Sequence, residues 1–316
     1  MEKVQSITIC GGRDKYGQPE DCLLHLVPGD IAAVVGPTGS GKSRLLADIE
    51  YLAQRDTPSG RQILLNGQPP DPAERFGIGT KLIAQLSQNM NFVLDATVGE
   101  FIAMHAACLE QGEPEASSST GMGPVQADKD SPIGRDSGQA EPEDGKWGGA
   151  ASSVESVGTK VAHSSSVGNR PAIGALTLAK QVLEQANRLA GEAFTLDTPL
   201  TALSGGQSRA LMIADTAILS DSPIVLIDEI ENAGIDKRLA LEVLVDRQKI
   251  VIMATHDPIL ALSGHYRLVL GNGALRDVLK TEPGELALLE ELRAADGRLA
   301  LIRQALRAGE RLHPGM

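Results

Sequence analysis

A glycine-rich segment near the N-terminus, residues 36–43, has the residue types and spacing of a loop that binds phosphate. A short apolar run precedes it, and a helix-like pattern from Arg44 to Tyr51 follows it. Glycines let backbone N–H groups close on phosphate oxygens, and the N-terminus of the next helix adds positive charge. We expect Lys42 to reach the β- and γ-phosphates of a nucleotide and the Ser43 hydroxyl to bind Mg²⁺. The predicted loop residues are Gly36, Pro37, Thr38, Gly39, Ser40, Gly41, Lys42 and Ser43.

Two carboxylates, Asp228 and Glu229, follow a second apolar, β-branched run at residues 224–227. Such a run is typical of a buried parallel strand. At its end Asp228 can hold Mg²⁺ through water, and Glu229 can polarise a water molecule for attack on a phosphate. Many strands end in acidic residues, so the pair becomes informative only together with the phosphate loop upstream.

A third segment, Leu203 to Gln207, has the sequence LSGGQ and lies shortly before the acidic pair. With the two motifs above, it resembles the signature of ATP-binding-cassette (ABC) ATPases, and the resemblance extends through most of the chain outside one low-complexity segment. It implies Mg²⁺-dependent hydrolysis of ATP by two cassettes paired head to tail, either as a homodimer or with a related cassette. The phosphate loop of one cassette then faces the signature of the other. Signature residues expected at the γ-phosphate are Ser204, Gly205, Gly206 and Gln207.

The same resemblance implies roles for four further positions. Gln88 matches the glutamine of the family's Q-loop, which contacts Mg²⁺ and the attacking water, and Gln85 remains an alternative to it. His256 matches the switch histidine and Asp236 the D-loop aspartate. Tyr16, upstream of the phosphate loop, is expected to stack on adenine, although an edge tyrosine in a hairpin is an equal alternative.

The segment after Glu229 departs from transporter cassettes, which usually have D-E-P-T-S-A-L-D. Here the run is DEIENAGID over residues 228–236, with no proline after the glutamate and one residue more before Asp236. We therefore predict a cassette that drives change in a soluble partner, through enzyme activation, cofactor loading or assembly. A peripheral ATP-binding subunit of a membrane transporter is the alternative. A third hypothesis, an ATP-gated binding module with negligible turnover, is disfavoured because Glu229 and His256 are both present.

Composition limits the class of protein. The 316 residues include 29 Lys and Arg against 41 Asp and Glu, a net charge of −12, which makes binding to nucleic acid unlikely. No run approaches the about eighteen apolar residues of a membrane helix, and the N-terminus lacks the pattern of a signal peptide. Three scattered cysteines form no CxxC pair, as expected in a reducing compartment. We predict a cytoplasmic protein that reaches a membrane only through a partner.

The predicted fold class is α/β, a P-loop NTPase of ABC type, with a mainly parallel sheet, an antiparallel β edge and a helical subdomain that carries the signature. Residues 1–110 and 173–280 are expected to form the two parts of the ATPase domain. Residues 111–172 are rich in Ser, Gly, Pro and acidic residues and are predicted to form a flexible insertion.

Two segments have alternative interpretations. Trp147, in the insertion, is either solvated or part of a motif that docks on a partner. Residues 281–316 form a predicted helical extension. It is interpreted either as a hairpin broken at Gly297 and packed on the cassette, or as an element for dimerisation or docking.

Overall fold

The computed structural model describes residues 3–76, 81–87, 91–110, 173–232 and 234–313. The predicted insertion at 111–172, with Trp147, lies outside the described residues, and so does Gln88. The domain boundaries that flank the insertion therefore stay predictions.

A six-stranded sheet forms the centre of the described part. Its strands are β3 (Ile31–Val35), β5 (Ile83–Leu86), β6 (Ile224–Asp228), β7 (Ile250–Ala254), β8 (Tyr266–Gly271) and β9 (Ala274–Lys280). The spatial order is β5-β6-β7-β3-β8-β9, and all neighbours pair in parallel except β8 and β9. The predicted mainly parallel sheet is confirmed, and this order brings the carboxyl ends of β3, β6 and β7 side by side.

The central strands are apolar throughout because both faces of the sheet are covered. On β3, Ala33 packs in one hydrophobic cluster, whereas its neighbours Ala32 and Val34 pack in the other. The same alternation holds on β6, where Val225 and Leu226 belong to opposite clusters. Successive side chains of a strand point to opposite faces, so a continuous apolar run is the expected pattern for a strand buried on both sides.

Eight α-helices surround the sheet in the described part of the chain. They are α1 (Lys42–Glu50), α2 (Pro72–Phe76), α3 (Val98–Glu110), α4 (Ile173–Ala190), α5 (Gly205–Ile218), α6 (Lys237–Asp246), α7 (Pro258–Ser263) and α8 (Pro283–Arg307). Single 3₁₀ turns occupy Leu200–Ala202 and Ile230–Asn232. Helix α4 packs against both α3 and α5, and these three helices form the predicted helical subdomain.

Antiparallel pairing, which the sequence predicted, occurs at the β9 edge of the main sheet and in a separate small sheet of strands from the N-terminal part. Strands β1 (Ile7–Cys10), β2 (Leu23–Leu26) and β4 (Gln62–Leu65) pair in the order β2-β1-β4. Their inward side chains share a hydrophobic cluster with α1 and with one face of the main sheet. The small sheet therefore covers the side of the main sheet on which α1 lies.

A fully buried arginine joins this small sheet to the rest of the domain. Arg61 bonds Glu20 through Nε (2.9 Å) and Nη2 (3.1 Å), and bonds Asp48 of α1 through Nη1 (2.8 Å). Nη2 also donates to the carbonyl oxygen of Gly273, in the β8–β9 turn, at 2.8 Å. Because Arg61 is 0 % exposed, these acceptors offset the removal of its charge from water.

The C-terminal extension is one continuous helix, so the predicted hairpin with a break at Gly297 is wrong. Helix α8 runs through this glycine from Pro283 to Arg307. A side chain at Gly297 would meet no atom within 4 Å, so no contact forces a turn there. A single exposed glycine costs a helix only about 1 kcal/mol relative to alanine, which the Leu- and Ala-rich flanks offset.

A histidine–aspartate pair links two helices of the helical subdomain. Nδ1 of His105, on α3, lies 2.9 Å from both carboxylate oxygens of Asp215 on α5. The hydrogen bond to Asp215 raises the pKa of His105, against the opposing effect of burial. A histidine whose pKa is raised on folding adds stability at low pH, and loses that contribution as pH rises through its folded pKa.

We expect His105→Gln to destabilise the protein more at about pH 5.5 than at about pH 9, where the histidine is neutral in both states. Urea unfolding of the wild type and the variant at the two pH values measures this. His313→Gln, at an exposed position near the C-terminus, is the matched control. A difference in unfolding free energy that is the same at both pH values would contradict the ion pair.

Candidate functional site

The phosphate loop joins β3 to α1, as predicted. Gly36 has a positive φ, and a Cβ there would lie 2.6 Å from the Leu270 carbonyl oxygen and 2.7 Å from Ser40 Oγ, so only glycine fits. Lys42 begins α1 and is buried, and its Nζ donates to the carbonyl oxygens of Gly36 (2.9 Å) and Pro37 (3.4 Å). The lysine therefore lies along the loop that it is expected to serve.

The turn between β8 and β9 supports this loop. The N–H of Gly273 donates to the Ser40 carbonyl oxygen at 2.8 Å, and a Cβ on Gly41 would lie 3.0 Å from the Gly273 Cα. The Gly273 carbonyl oxygen is the one that Arg61 binds. The buried arginine thus helps to fix the backbone against which the loop rests.

Tyr16 lies in a hairpin next to the same turn. The N–H of Lys15 donates to the Asn272 carbonyl oxygen at 3.0 Å. Tyr16 is 69 % exposed, and Lys15 Nζ lies 4.9 Å from the centroid of its ring. This position near the phosphate loop agrees with both alternatives from the sequence, so stacking on adenine stays a prediction.

Asp228, Glu229 and His256 meet at the carboxyl ends of β6 and β7. Asp228 pairs in register with Ala254, and the N–H of Glu229 donates to the Ala254 carbonyl oxygen at 3.0 Å. The backbone of Glu229 has a left-handed conformation, with a φ of 51°, and the chain changes direction there. Glu229 Oε1 lies 3.9 Å from His256 Nε2. The structure therefore brings together residues that were predicted from separate motifs.

The charge at this edge fits a divalent cation. Burial raises the pKa of Asp228, and so do the neighbouring Glu229 and Glu231, while Lys42 acts in the opposite direction. A dication would relieve this unfavourable anionic environment, and carboxylate and hydroxyl oxygens are ligands that suit Mg²⁺. Ser43, the second described residue expected to bind Mg²⁺, is exposed beside Lys42.

One buried polar atom of the loop fits a phosphate. Ser40 Oγ is buried and has no hydrogen-bond partner among the described residues. A buried hydroxyl without a partner is unfavourable, and a phosphate oxygen could accept its hydrogen bond. The Ser40 hydroxyl is therefore an unused hydrogen-bond donor at the place where the motif predicts a nucleotide phosphate.

The predicted signature forms the exposed N-terminus of α5. Ser204 caps the helix: its Oγ accepts the Gln207 N–H (3.2 Å), and Gln207 Oε1 accepts the Ser204 N–H (2.9 Å). Gln207 Nε2 also donates to the Glu192 carbonyl oxygen at 3.4 Å. Ser204 and Gly205 are exposed, and no described hydrogen bond joins this segment to residues 36–43. Free amides at a helix N-terminus favour an anion.

The remaining predicted residues have structural partners or lie outside the described part. Asp236 caps α6 by accepting the Leu239 N–H at 3.0 Å. Gln85 lies within β5; with its amide nitrogen facing α1, it donates to Glu50 Oε1 (3.0 Å) and Oε2 (2.9 Å). The Gln85 side chain is therefore engaged by α1. Because Gln88 is not described, the position of the Q-loop stays a prediction.

The structure also places a residue at the site that the sequence analysis did not single out. Oε1 of Glu231 accepts the backbone N–H of His256 at 2.7 Å, and Oε2 accepts the Thr255 hydroxyl at 3.1 Å. The only signal in the sequence is the glutamate at 231, where transporter cassettes usually have threonine. Its partners are distant in sequence, so the pattern alone could not identify them.

Comparison with known proteins identifies the family. The sequence profile of the family described as ABC transporter matches residues 20–232. An uncharacterised ABC transporter ATP-binding protein of Methanocaldococcus jannaschii is 41 % identical over 311 residues, 98 % of this chain and 95 % of that protein. The chain belongs to the ABC family. This cassette is therefore an ATP-binding protein, and its activity is the hydrolysis of ATP.

More distant relatives and solved structures agree. An ATP-binding protein of a lipoprotein-releasing system from Rhodopirellula baltica is 34 % identical over 105 residues, 31 % of this cassette and 44 % of that protein. The structure of cbiO1 from Clostridium perfringens, part of the ABC transporter complex cbiONQ, aligns with a TM-score of 0.53 at 18 % identity. It covers 96 % of this cassette and 100 % of that chain. This likeness confirms the predicted fold.

None of the helices in the described ranges is both long enough and apolar enough to cross a lipid bilayer.

Proposed function

We propose that this cassette hydrolyses ATP with Mg²⁺ as a head-to-tail dimer, and that closure and opening of the dimer change the conformation of a partner protein. One observation carries the proposal. The phosphate loop, the acidic pair and His256 meet at one edge of the sheet, whereas the signature at Ser204 presents free amides to solvent. A second cassette that places its signature over the first phosphate loop would complete the site.

Each residue at the sheet edge has a role in this reaction. Lys42 and the loop amides bind the β- and γ-phosphates. Glu229 polarises the attacking water and accepts its proton, and His256 donates to the γ-phosphate. Ser43, Asp228 and Gln88 would hold Mg²⁺, which neutralises charge on the phosphates when bound. The signature amides stabilise the transferring group from the other subunit.

An apolar surface on the helical subdomain is suited to receive the partner. Val93 is 96 % exposed, Leu94 44 % and Met104 47 %. Val93 and Leu94 follow Phe92 in the chain, and Met104 lies one helical turn after Phe101 on α3. The rings of Phe92 and Phe101 meet edge to face at a centroid distance of 5.0 Å. Exposed apolar side chains close in the chain to a pair of packed aromatic rings are typical of a surface that binds another protein.

The relatives favour a membrane subunit as this partner, because their names describe ATP-binding proteins of transporters and of a lipoprotein-releasing system. The cassette would then act at the cytoplasmic face of a membrane. A soluble client is the second candidate, since Ile230 and Glu231 replace the proline and threonine usual in transporter cassettes.

Capture of the partner tests this proposal. We expect the tagged Glu229→Gln protein, purified from its own cells with ATP and Mg²⁺, to retain a stoichiometric polytopic membrane protein from detergent-extracted membranes. The Lys42→Ala variant, which should not bind ATP, shows whether capture of the partner depends on bound nucleotide. A stoichiometric soluble enzyme in the cytosolic fraction would instead support the second candidate. Absence of any stoichiometric protein from both fractions would contradict a partner-driving role.

A matched pair of surface variants tests the proposed docking surface. Val93→Asp should abolish capture while leaving basal ATP hydrolysis unchanged, because the charge is placed in the apolar contact and not at the nucleotide. Leu23→Asp, on β2 of the small sheet and 68 % exposed, should have no effect on capture. Equal capture by both variants would exclude this surface.

A further inference from the structure

Glu231 lies two residues after Glu229, in a short turn whose position is fixed. The turn occupies Ile230–Asn232, and Ile230 is buried in the core beneath the main sheet. Glu229, with its positive φ, reverses the chain just before it. The Glu231 side chain is thus supported from a packed residue rather than from a free loop.

The Glu231 carboxylate binds the segment that carries His256 at two points. One oxygen accepts the backbone N–H of His256 at 2.7 Å, and the other accepts the Thr255 hydroxyl at 3.1 Å. These two hydrogen bonds connect the end of β6 to the end of β7 beyond the last ladder bond of the sheet. They hold the backbone of the residue whose imidazole lies 3.9 Å from Glu229.

Thr255 gives this connection a rigid support. It is 1 % exposed, and its N–H donates to the Val34 carbonyl oxygen on β3 at 3.1 Å. Its hydroxyl also accepts the Asp257 N–H at 3.0 Å. Asp257 caps α7 and pairs with Lys237 on α6 at 2.5 Å. Within the described part of the chain, the His256 backbone N–H has Glu231 as its one partner.

We propose that Glu231 is a positioning residue that holds the backbone of His256 so that its imidazole stays at the reaction site beside Glu229. This inference rests on the role proposed above for His256. Glu231 touches neither nucleotide nor attacking water in this account, and it acts only through the histidine.

The chemistry of a carboxylate suits this task. Its two oxygens accept two donors at once, whereas an amide offers one acceptor oxygen. The negative charge of Glu231 also disfavours the anionic form of Asp228, so a third carboxylate here is electrostatically unfavourable. The two hydrogen bonds that Glu231 makes explain why a carboxylate stands here despite this electrostatic repulsion.

Steady-state hydrolysis by the wild type, Glu231→Ala, His256→Ala and the double variant tests the inference. Glu231→Ala should lower kcat about tenfold and change KM for ATP less than about twofold, because Lys42 and the loop remain intact. His256→Ala should lower kcat about a hundredfold. The double variant should stay within about twofold of His256→Ala, since a residue that acts through the histidine has no effect without it.

Conservative variants separate positioning from general destabilisation. Glu231→Gln keeps one acceptor and should recover about half of the lost rate. Glu290→Ala, on the exposed side of α8, should leave kcat and KM unchanged. The active-site concentration from ATP-binding stoichiometry normalises every rate, so partial unfolding cannot imitate the effect. If Glu231→Ala does not fold, Thr255→Val removes the hydroxyl, with its bonds to Glu231 and to the Asp257 N–H, leaves the bond from Glu231 to His256 in place, and should lower kcat about threefold.

Different results identify which claim fails. A wild-type kcat for Glu231→Ala, or for Thr255→Val when only that variant folds, overturns the inference. Additive losses in the double variant also overturn it. A wild-type kcat for His256→Ala would overturn the role of the histidine itself.

Discussion

Replacing Glu229 with glutamine should lower kcat for ATP hydrolysis by more than about a hundredfold, because an amide cannot accept a proton from the attacking water. ATP binding should persist, since Lys42 and the phosphate loop are unchanged. The protein should therefore accumulate with ATP in a closed dimer. Phosphate release and light-scattering mass with ATP and Mg²⁺ measure the two effects.

The isosteric change Glu242→Gln is the matched control for Glu229→Gln. Glu242 lies on the exposed side of α6, where it pairs with Arg238, and its removal should leave both kcat and mass unchanged. Turnover by Glu229→Gln at the wild-type rate would contradict the role assigned to this glutamate. A monomeric mass with ATP would contradict the dimer.

Replacing Arg61 with methionine should reduce the free energy of unfolding by about 3–5 kcal/mol, the usual loss when one partner of a buried ion pair is removed. Glu20 and Asp48 would then be left buried without their cation, since their side chains are 1 % and 3 % exposed. Typical domains unfold with only about 5–15 kcal/mol, so this is a large fraction of the total. Urea denaturation monitored by circular dichroism measures it.

Arg238→Met, which breaks an exposed ion pair on α6, is the control and should cost at most about 0.5 kcal/mol. Arg61→Lys should fall between the two, because lysine keeps the charge but cannot reproduce the paired bonds to Glu20. A loss below about 1 kcal/mol for Arg61→Met would show that the cluster contributes little to stability.

The motifs could be predicted from sequence because their chemistry is local. The phosphate loop and the acidic pair at residues 228–229 each follow an apolar strand, and parallel strands end at one edge. Their meeting with His256 follows from the order of β6, β7 and β3. That order cannot be derived from the sequence pattern, and for the fold the resemblance to the ABC family was used only to predict the class.

The supporting contacts could not be predicted, because they join residues far apart in the chain. Arg61 binds Gly273 across 212 positions, and Glu231 binds His256 across 25. No periodicity or spacing indicates such pairs. At Gly297 a local signal was misleading. The glycine predicted a break in the helix, but the strong helix formers on both sides keep α8 continuous.

A mixing experiment tests the composite site most directly. Ser204→Glu places a negative charge in the signature, and Glu229→Gln removes the base, so each purified variant alone should be inactive. In a head-to-tail dimer, a 1:1 mixture contains one intact site in each heterodimer, and activity should return to about a quarter of the wild-type rate per chain. A mixture no more active than the mean of the two variants would contradict a site shared between two cassettes.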